Sequence, residues 1–305
     1  MGIVSLKACK SCMLVKYCNA ECQRNHWPKH KKECKRRTAE LRDEALFKDP
    51  PAKDDCPICF LPMPVRLICC ISLPPATILS VPINDFAEAN QELASKQTIE
   101  YYSCCGKSIC RGCLYSFGKS GNMGKCPYCK AEIAGKTNEE HVKELIKRVE
   151  ANDAGAILAL GNSYRIGLMG LQQDQERAME LWKRAADLGY SHAHYNLGNE
   201  YRQGGDVKKA KFHYETAAMA GHEEARYNLG LMEGKSGNIE RAVKHCTIAA
   251  SAGSHLAMDN LLEIFKQGLL PRDFIESALT SYNNSCAEMR SESRDAAIGL
   301  ETGAT

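Results

Sequence analysis

Past residue 150 the small and apolar positions recur with a fixed period, and that period organises the longest part of the chain. Ala193-His194-Tyr195-Asn196-Leu197-Gly198 returns thirty-two residues later as Ala225-Arg226-Tyr227-Asn228-Leu229-Gly230. A looser copy stands at Ala156 to Gly161, and Ala257 to Leu262 follows by thirty-two again. The closing half repeats too: Ala185-Ala186 with Gly189, Ala217-Ala218 with Gly221, Ala249-Ala250 with Gly253. A period of this size predicts paired helices stacked as a solenoid. The alanines let helix backbones approach closely, and the three glycines end each second helix with a residue that tolerates left-handed geometry. Gly204-Gly205-Asp206 and Ser236-Gly237-Asn238 supply the turns inside the units. Pro271 suits the first position of a last helix, and the polar residues after about Cys286 predict a fraying tail.

Upstream the pattern is less regular. Val142, Leu145, Ile146 and Val149 form a stripe over a helix from Glu139 to Glu150, with acids in its first turn and Asn138 as the expected cap. Ala39, Leu41, Ala45 and Leu46 predict a helix over Thr38–Phe47, which Asp49-Pro50-Pro51 stops because proline lacks the donor. Leu67 to Leu73 reads as a buried strand in which Cys69 and Cys70 are small hydrophobes. Pro74, Pro75 and Pro82 then break the chain, and Asp85 to Ala94 has helical character.

Cysteine changes the picture. Of 17 cysteines, only Cys246 and Cys286 lie beyond Cys129. The chain opens Met-Gly-Ile-Val-Ser-Leu-Lys, without the apolar segment of a secretory signal, and Leu6 stands where myristoylation at Gly2 would need Ser or Thr. No apolar run reaches membrane-spanning length. A cytoplasmic or nuclear protein is therefore expected, and repeated Cys-x2-Cys pairs in a reducing compartment point to zinc rather than disulfides. The net charge of +3 is weak. Lys29, Lys31, Lys32, Lys35, Arg36 and Arg37 form a basic run that reads as a solvated helix face, so neither nucleic acid nor membrane is the expected partner.

The first cluster is Cys9-x2-Cys12, Cys18-x3-Cys22 and His30-x3-Cys34. On a helix His30 and Cys34 share a face, as two ligands of one tetrahedral ion must. With Tyr17-Cys18-Asn19-Ala20-Glu21-Cys22-Gln23 and His26-Trp27, the segment resembles a MYND zinc finger. The resemblance implies that Cys9, Cys12, His30 and Cys34 close one site, and that the finger binds short proline-containing peptides. It also places the family's first cysteine pair before Met1, so Cys18 and Cys22 lack their two partners. His26 either completes a weaker site with them or packs with Trp27 against the finger.

The second cluster runs from Cys56-Pro57-Ile58-Cys59, through Cys104, Cys105, Cys110 and Cys113, to Cys126-Pro127-Tyr128-Cys129. This order of pair, quartet and pair resembles a RING finger, with a long insertion between Cys59 and Cys104. The resemblance implies cross-bracing. Cys56, Cys59, Cys110 and Cys113 take one ion, and Cys126 and Cys129 take the other together with the element before Cys110. Lys107 stands where many RING domains carry histidine, so the all-cysteine solution gives the second ion both Cys104 and Cys105. Four thiolates close the coordination sphere, leaving no open position for water, which excludes metal-assisted hydrolysis there. By the same resemblance, Ile58, Pro127 and Lys130 match positions that contact a ubiquitin-conjugating enzyme.

Ala-x3-Leu-Gly opening each unit, with an Ala-Ala close, resembles Sel1-like repeats, relatives of the tetratricopeptide family, over residues 153 to 267. No catalytic constellation stands in the repeats, and no Gly-rich segment suits a methyltransferase cofactor.

The expected architecture is mostly α: two small zinc-stapled fingers followed by an α-helical Sel1-like solenoid. Its segments are a partial MYND finger (1–37), a helix and linker (38–55) and a RING-like finger with insertion (56–135). A connecting helix (136–152), the solenoid (153–290) and a flexible tail (291–305) follow. The expected function is a RING-type ubiquitin ligase or ligase-like adaptor whose solenoid recruits protein substrates. The alternative is a non-enzymatic scaffold with structural fingers.

Overall fold

A computed structural model describes residues 7–13, 15–17, 20–63, 99–122 and 124–296. Cys18, the Leu67–Leu73 segment with Cys69 and Cys70, and the Asp85–Ala94 segment lie outside the described residues. The chain forms two compact units, Met1–Asp49 and Pro50–Thr305.

In the first unit, β1 (Lys7–Ala8) pairs antiparallel with β2 (Lys16–Tyr17), and α1 (Ala20–Leu46) follows. The helix anticipated over Thr38–Phe47 is the end of this longer one. Its buried residues are few, chiefly His30, Cys34 and Leu46. The remaining surface carries charge pairs at helical spacing: Arg36 meets Glu33 and Glu40, and Arg37 meets Glu40 and Glu44. Each such exposed pair contributes only tenths of a kcal/mol, but together they partner the end of the basic run within the helix.

In the second unit, Asp55 and Pro62 form an isolated antiparallel bridge, and the hairpin of β3 (Ile99–Tyr102) and β4 (Lys107–Cys110) has the register Ile99↔Cys110 to Tyr102↔Lys107. α2 (Arg111–Phe117) and a π-turn over Gly118–Asn122 come next, then α3 (Asn138–Glu150). The cap of α3 is Thr137, one residue earlier than the sequence pattern indicates. Its hydroxyl accepts from the Glu140 backbone while Glu140 accepts from the Thr137 backbone. Glutamate three residues after threonine completes this reciprocal box, which Asn138 could not form with His141.

The repeats are α4 (Ala154–Ile166), α5 (Gln175–Asp187), α6 (Ser191–Gln203), α7 (Val207–Met219), α8 (Glu223–Lys235) and α9 (Ile239–Ser251), then α10 (His255–Lys266) and α11 (Arg272–Glu288). Gly205 and Gly237 take φ of 78° and 81° in the turns inside two units, a region that a β-carbon disfavours. The Leu-Gly step of each unit has a packing reason. A Cβ on Gly161 would lie 2.8 Å from the Trp182 ring, and one on Gly198 would lie 2.6 Å from Tyr214. Tyr214 is fully buried and donates its hydroxyl to Asn199 at 2.6 Å, so it cannot yield. Valine and glycine differ little in helix propensity, so packing decides. Gly198→Val is expected to destabilise the solenoid by about 3 kcal/mol, read as a lower urea midpoint.

His245 is fully buried in α9. Desolvation, with Arg226 and Arg241 nearby, pulls its imidazole down from 6.5 to about 3. The folded state therefore holds it neutral, and its contribution is complete above the unfolded value and lost as pH falls from 6.5 toward 3. By linkage the slope is about 1.4 kcal/mol per pH unit. Acidifying from about pH 7 to about pH 5 should cost the wild type about 2 kcal/mol more than His245→Leu, a difference that thermal scans of both proteins resolve.

Candidate metal centres

Three groups of side chains bring four ligand atoms each within 4.8 Å of one another: Cys9, Cys12, His30 and Cys34; Cys56, Cys59, Cys110 and Cys113; Cys104, Cys105, Cys126 and Cys129. In the first, Cys12 Sγ lies 3.2 Å from His30 Nε2 and Cys9 Sγ 3.8 Å from Cys34 Sγ. In the second, Cys56 and Cys113 are 3.8 Å apart, as are Cys59 and Cys110. In the third, Cys105 lies 3.6 Å from Cys126 and Cys104 lies 3.6 Å from Cys129.

Each group rests on a tight knuckle of backbone. Cys9, Cys56 and Cys126 accept on their carbonyls from the N–H groups of Met13, Phe60 and Lys130, and those three residues take φ of 59°, 55° and 63°. A left-handed non-glycine residue is costly in isolation, so its recurrence after Cys12, Cys59 and Cys129 marks one turn used three times, whereas the pair Cys110 and Cys113 starts a helix instead. The turn aims backbone N–H groups at the first sulfur. Donation from the Cys12 and Ser11 backbone, with His30, holds Cys9 down to about 6. Burial opposes the same effect at Cys56 and Cys126, yet the backbone donors Cys110, Cys59 and Ile58 at Cys56, and Cys129 and Tyr128 at Cys126, bring both to about 7. Burial pushes Cys34 up to about 11 and raises Cys104, Cys105, Cys110 and Cys113. One thiol of each quartet is thus disposed to ionise, and a cation is what would hold all the sulfurs as thiolates.

The adjacent thiols Cys104 and Cys105 meet in the third group because of the hairpin. Tyr102↔Lys107 is the last pair, so residues 103–106 are the turn. The N–H groups of Cys105 and Gly106 both point at the Tyr102 carbonyl, and Gly106 has φ of 69°. That geometry turns both side chains toward the Cys126 knuckle. Lys107 stands outside the quartet, 5.4 Å from the Tyr128 ring.

The other sequence-marked residues are distributed as follows. Ile58 is 39% exposed inside its knuckle. Lys130 is exposed, its ammonium 4.4 Å from the Phe117 ring and donating to the Pro127 carbonyl at 3.0 Å. Pro127 itself is buried. His26 accepts or donates at Nδ1 with the Tyr17 hydroxyl at 3.2 Å and stacks on His30, while Cys22 lies exposed on α1. Phe60, 75% exposed beside Cys59, carries no sequence signal beyond its position.

The second finger is tied to the repeats by contacts that the sequence pattern does not announce. Tyr101 donates to Asp153 at 2.9 Å, and Arg148 donates to the Ser103 carbonyl. Lys53, just before the first knuckle, reaches Glu223 at 3.2 Å and the Ala252 carbonyl at 2.7 Å. A groove of about 1140 Å³ lies between finger and repeats, lined by Asp54, Tyr101, Asn162, His192 and Glu223 among others. The segment expected to be a tail contains Arg294, which is 1% exposed against the second metal group. A lone arginine in a polar stretch gives no sequence signal of burial.

Against known families, the MYND finger pattern matches residues 2–34, and the Sel1 repeat pattern matches 154–190, 191–222 and 223–254. The human histone-lysine N-methyltransferase SMYD3 is 49% identical over 35 residues, which are 12% of this chain and 8% of that protein. The chain thus spans less than a tenth of that relative, within the finger. A Sel1 repeat protein from Oxalobacter formigenes aligns with a TM-score of 0.45 and 25% identity, covering 59% of this chain and 71% of its own. The Escherichia coli antigen c5321, described as an SLR fold, aligns with a TM-score of 0.41 and 21% identity, covering 62% and 43%. The chain therefore carries a MYND finger and a Sel1-repeat solenoid, and zinc is its cofactor, since MYND is a zinc-binding finger and the clusters can hold metal ions. A zinc finger joined to a repeat module for protein contacts is the makeup of a protein-interaction scaffold. No described helix is long and apolar enough to cross a membrane.

Proposed function

We propose that this scaffold acts as a ubiquitin-protein ligase of the RING type. Cys9, Cys12, His30 and Cys34 would hold one zinc, Cys56, Cys59, Cys110 and Cys113 a second, and Cys104, Cys105, Cys126 and Cys129 a third. These closed shells supply folding energy and charge neutralisation rather than an open coordination position. The finger's work is then recruitment: it positions a ubiquitin-loaded conjugating enzyme while the solenoid holds a protein substrate, an effect of proximity and orientation.

The observation that carries this reading is the interleaving of the second and third groups. Pair one joins pair three, and the adjacent cysteines join the last pair. This leaves Ile58 exposed for an apolar contact and Lys130 exposed for a charged one. Buried Pro127 would support the Lys130 side chain from below rather than touch the enzyme. That burial favours the second reading, a scaffold with purely structural fingers. The MYND finger would add a site for proline-containing peptides in either case.

The test is ubiquitin-chain formation by the zinc-loaded full chain across a panel of conjugating enzymes, with activating enzyme and ATP. Chains with at least one of them are expected. No chains with any, from folded zinc-loaded protein, would leave the scaffold reading.

A further inference from the structure

Arg294 is a buried cation that takes part in no ion pair among the described residues. It is 1% exposed, and none of its hydrogen-bond partners among the described residues is a carboxylate. Its guanidinium instead donates to Cys110 Sγ and Cys59 Sγ, both at 3.4 Å. The remaining donors go to the carbonyls of Pro62 at 2.9 Å, Met289 at 2.6 Å and Leu61 at 3.3 Å. A buried cation with no counter-charge is strongly disfavoured. The counter-charge available here is the tetrathiolate site itself, because four thiolates outweigh one divalent ion and the filled site stays anionic.

The backbone is shaped for this approach. Gly112 lies between Cys110 and Cys113, and a Cβ there would come within 2.5 Å of Arg294 Cγ and 2.7 Å of its backbone nitrogen. Ser116 on α2 donates to Ser293 at 2.7 Å, a second tie on the same side. Met289, which accepts from Arg294, also has its sulfur 3.5 Å from the Lys53 ammonium. The two chain segments flanking the finger and ending the solenoid therefore meet at one point.

We propose that Arg294 is an outer-shell partner of the Cys56–Cys59–Cys110–Cys113 zinc, and that residues 291–296 form a zinc-dependent latch joining the end of the solenoid to the finger. With the ion bound, the anionic sulfurs hold the guanidinium. Without it nothing holds the four sulfurs together beneath the guanidinium, and the latch opens. Coupling of this kind is reciprocal, so the latch also retains the ion. The inference rests on the zinc assignment of that site and not on ligase activity.

The test compares wild type, Arg294→Met, Arg294→Lys and Gly112→Ala as full chains. Zinc release to excess chelator is followed with a chromogenic indicator. One of the bound ions should leave about tenfold faster from Arg294→Met and from Gly112→Ala, the size typical of outer-shell changes, with Arg294→Lys between them and wild type. In wild type, amide exchange of residues 289–296 should accelerate when zinc is withdrawn, a readout that needs no variant to fold. Unchanged release in both variants, or exchange at 289–296 that ignores zinc, would overturn the latch. Wild type that binds no zinc at this site would instead remove its premise, whatever the ubiquitin assay shows.

Discussion

Cys126→Ser is expected to lower the zinc content of the purified chain from about three ions to about two and to open the second finger to proteases while the solenoid stays folded. Cys126 is fully buried and begins the last knuckle, where the backbone of Cys129 and Tyr128 favours its thiolate. A serine hydroxyl at that place is a far weaker ligand for zinc. Among the described residues of the finger, the buried hydrophobic cluster at its centre is small: Cys56, Ile109 and Cys110. Structural zinc contributes about 10–16 kcal/mol to such small domains, more than a cluster of that size can replace. The repeats keep their own core from Leu145 to Leu197, so helical circular dichroism should fall only slightly. Metal analysis with limited proteolysis checks the result. Retention of all three ions would show that the third quartet is not a zinc site.

Ile58→Ala is the second large effect, and it is the opposite kind of change. Ile58 is 39% exposed and bears no ligand, so its truncation should leave zinc content and melting temperature unchanged. If it is the apolar anchor for the conjugating enzyme, losing it costs about 2 kcal/mol of binding, roughly a thirtyfold loss of chain formation at sub-saturating enzyme. Pairing unchanged zinc with lost transfer separates recruitment from folding, a separation the cysteine variants cannot make. Full transfer by Ile58→Ala would move the contact elsewhere, with exposed Phe60 the next residue to truncate.

What could be read from the sequence divides along a physical line. The pairs Cys9–Cys12, Cys56–Cys59 and Cys126–Cys129 stand plainly in the sequence, and the thirty-two-residue period announced the helical repeats. The left-handed turn after those three pairs is not written in the spacing, since Cys110 and Cys113 share that spacing and lie at the start of a helix. The role of adjacent Cys104 and Cys105 depended on the hairpin register, which places both in a turn after Tyr102. Register is a non-local property, so spacing alone left it open. The α3 cap slipped by one residue because Thr137 and Asn138 are both good caps, and the glutamate three residues on decides between them. Arg294 and Lys53 were invisible for a stronger reason. Their partners stand 184 and 170 residues away in sequence, and nothing local distinguishes a buried cation from a solvated one.

Those long-range ties bear on function. Tyr101, Lys53 and Arg294 anchor the finger to the repeats, so under the proposed ligase function a protein held by the solenoid would sit at a set distance from the Ile58 and Lys130 surface.

Single-turnover discharge of a preformed conjugating-enzyme–ubiquitin thioester onto free lysine measures the finger's proposed work with no substrate and no chain growth. The zinc-loaded protein should accelerate discharge by about tenfold or more, and Ile58→Ala should return it to the unassisted rate. Discharge unaffected by folded, zinc-loaded protein with every conjugating enzyme tried would contradict the ligase account and leave a scaffold.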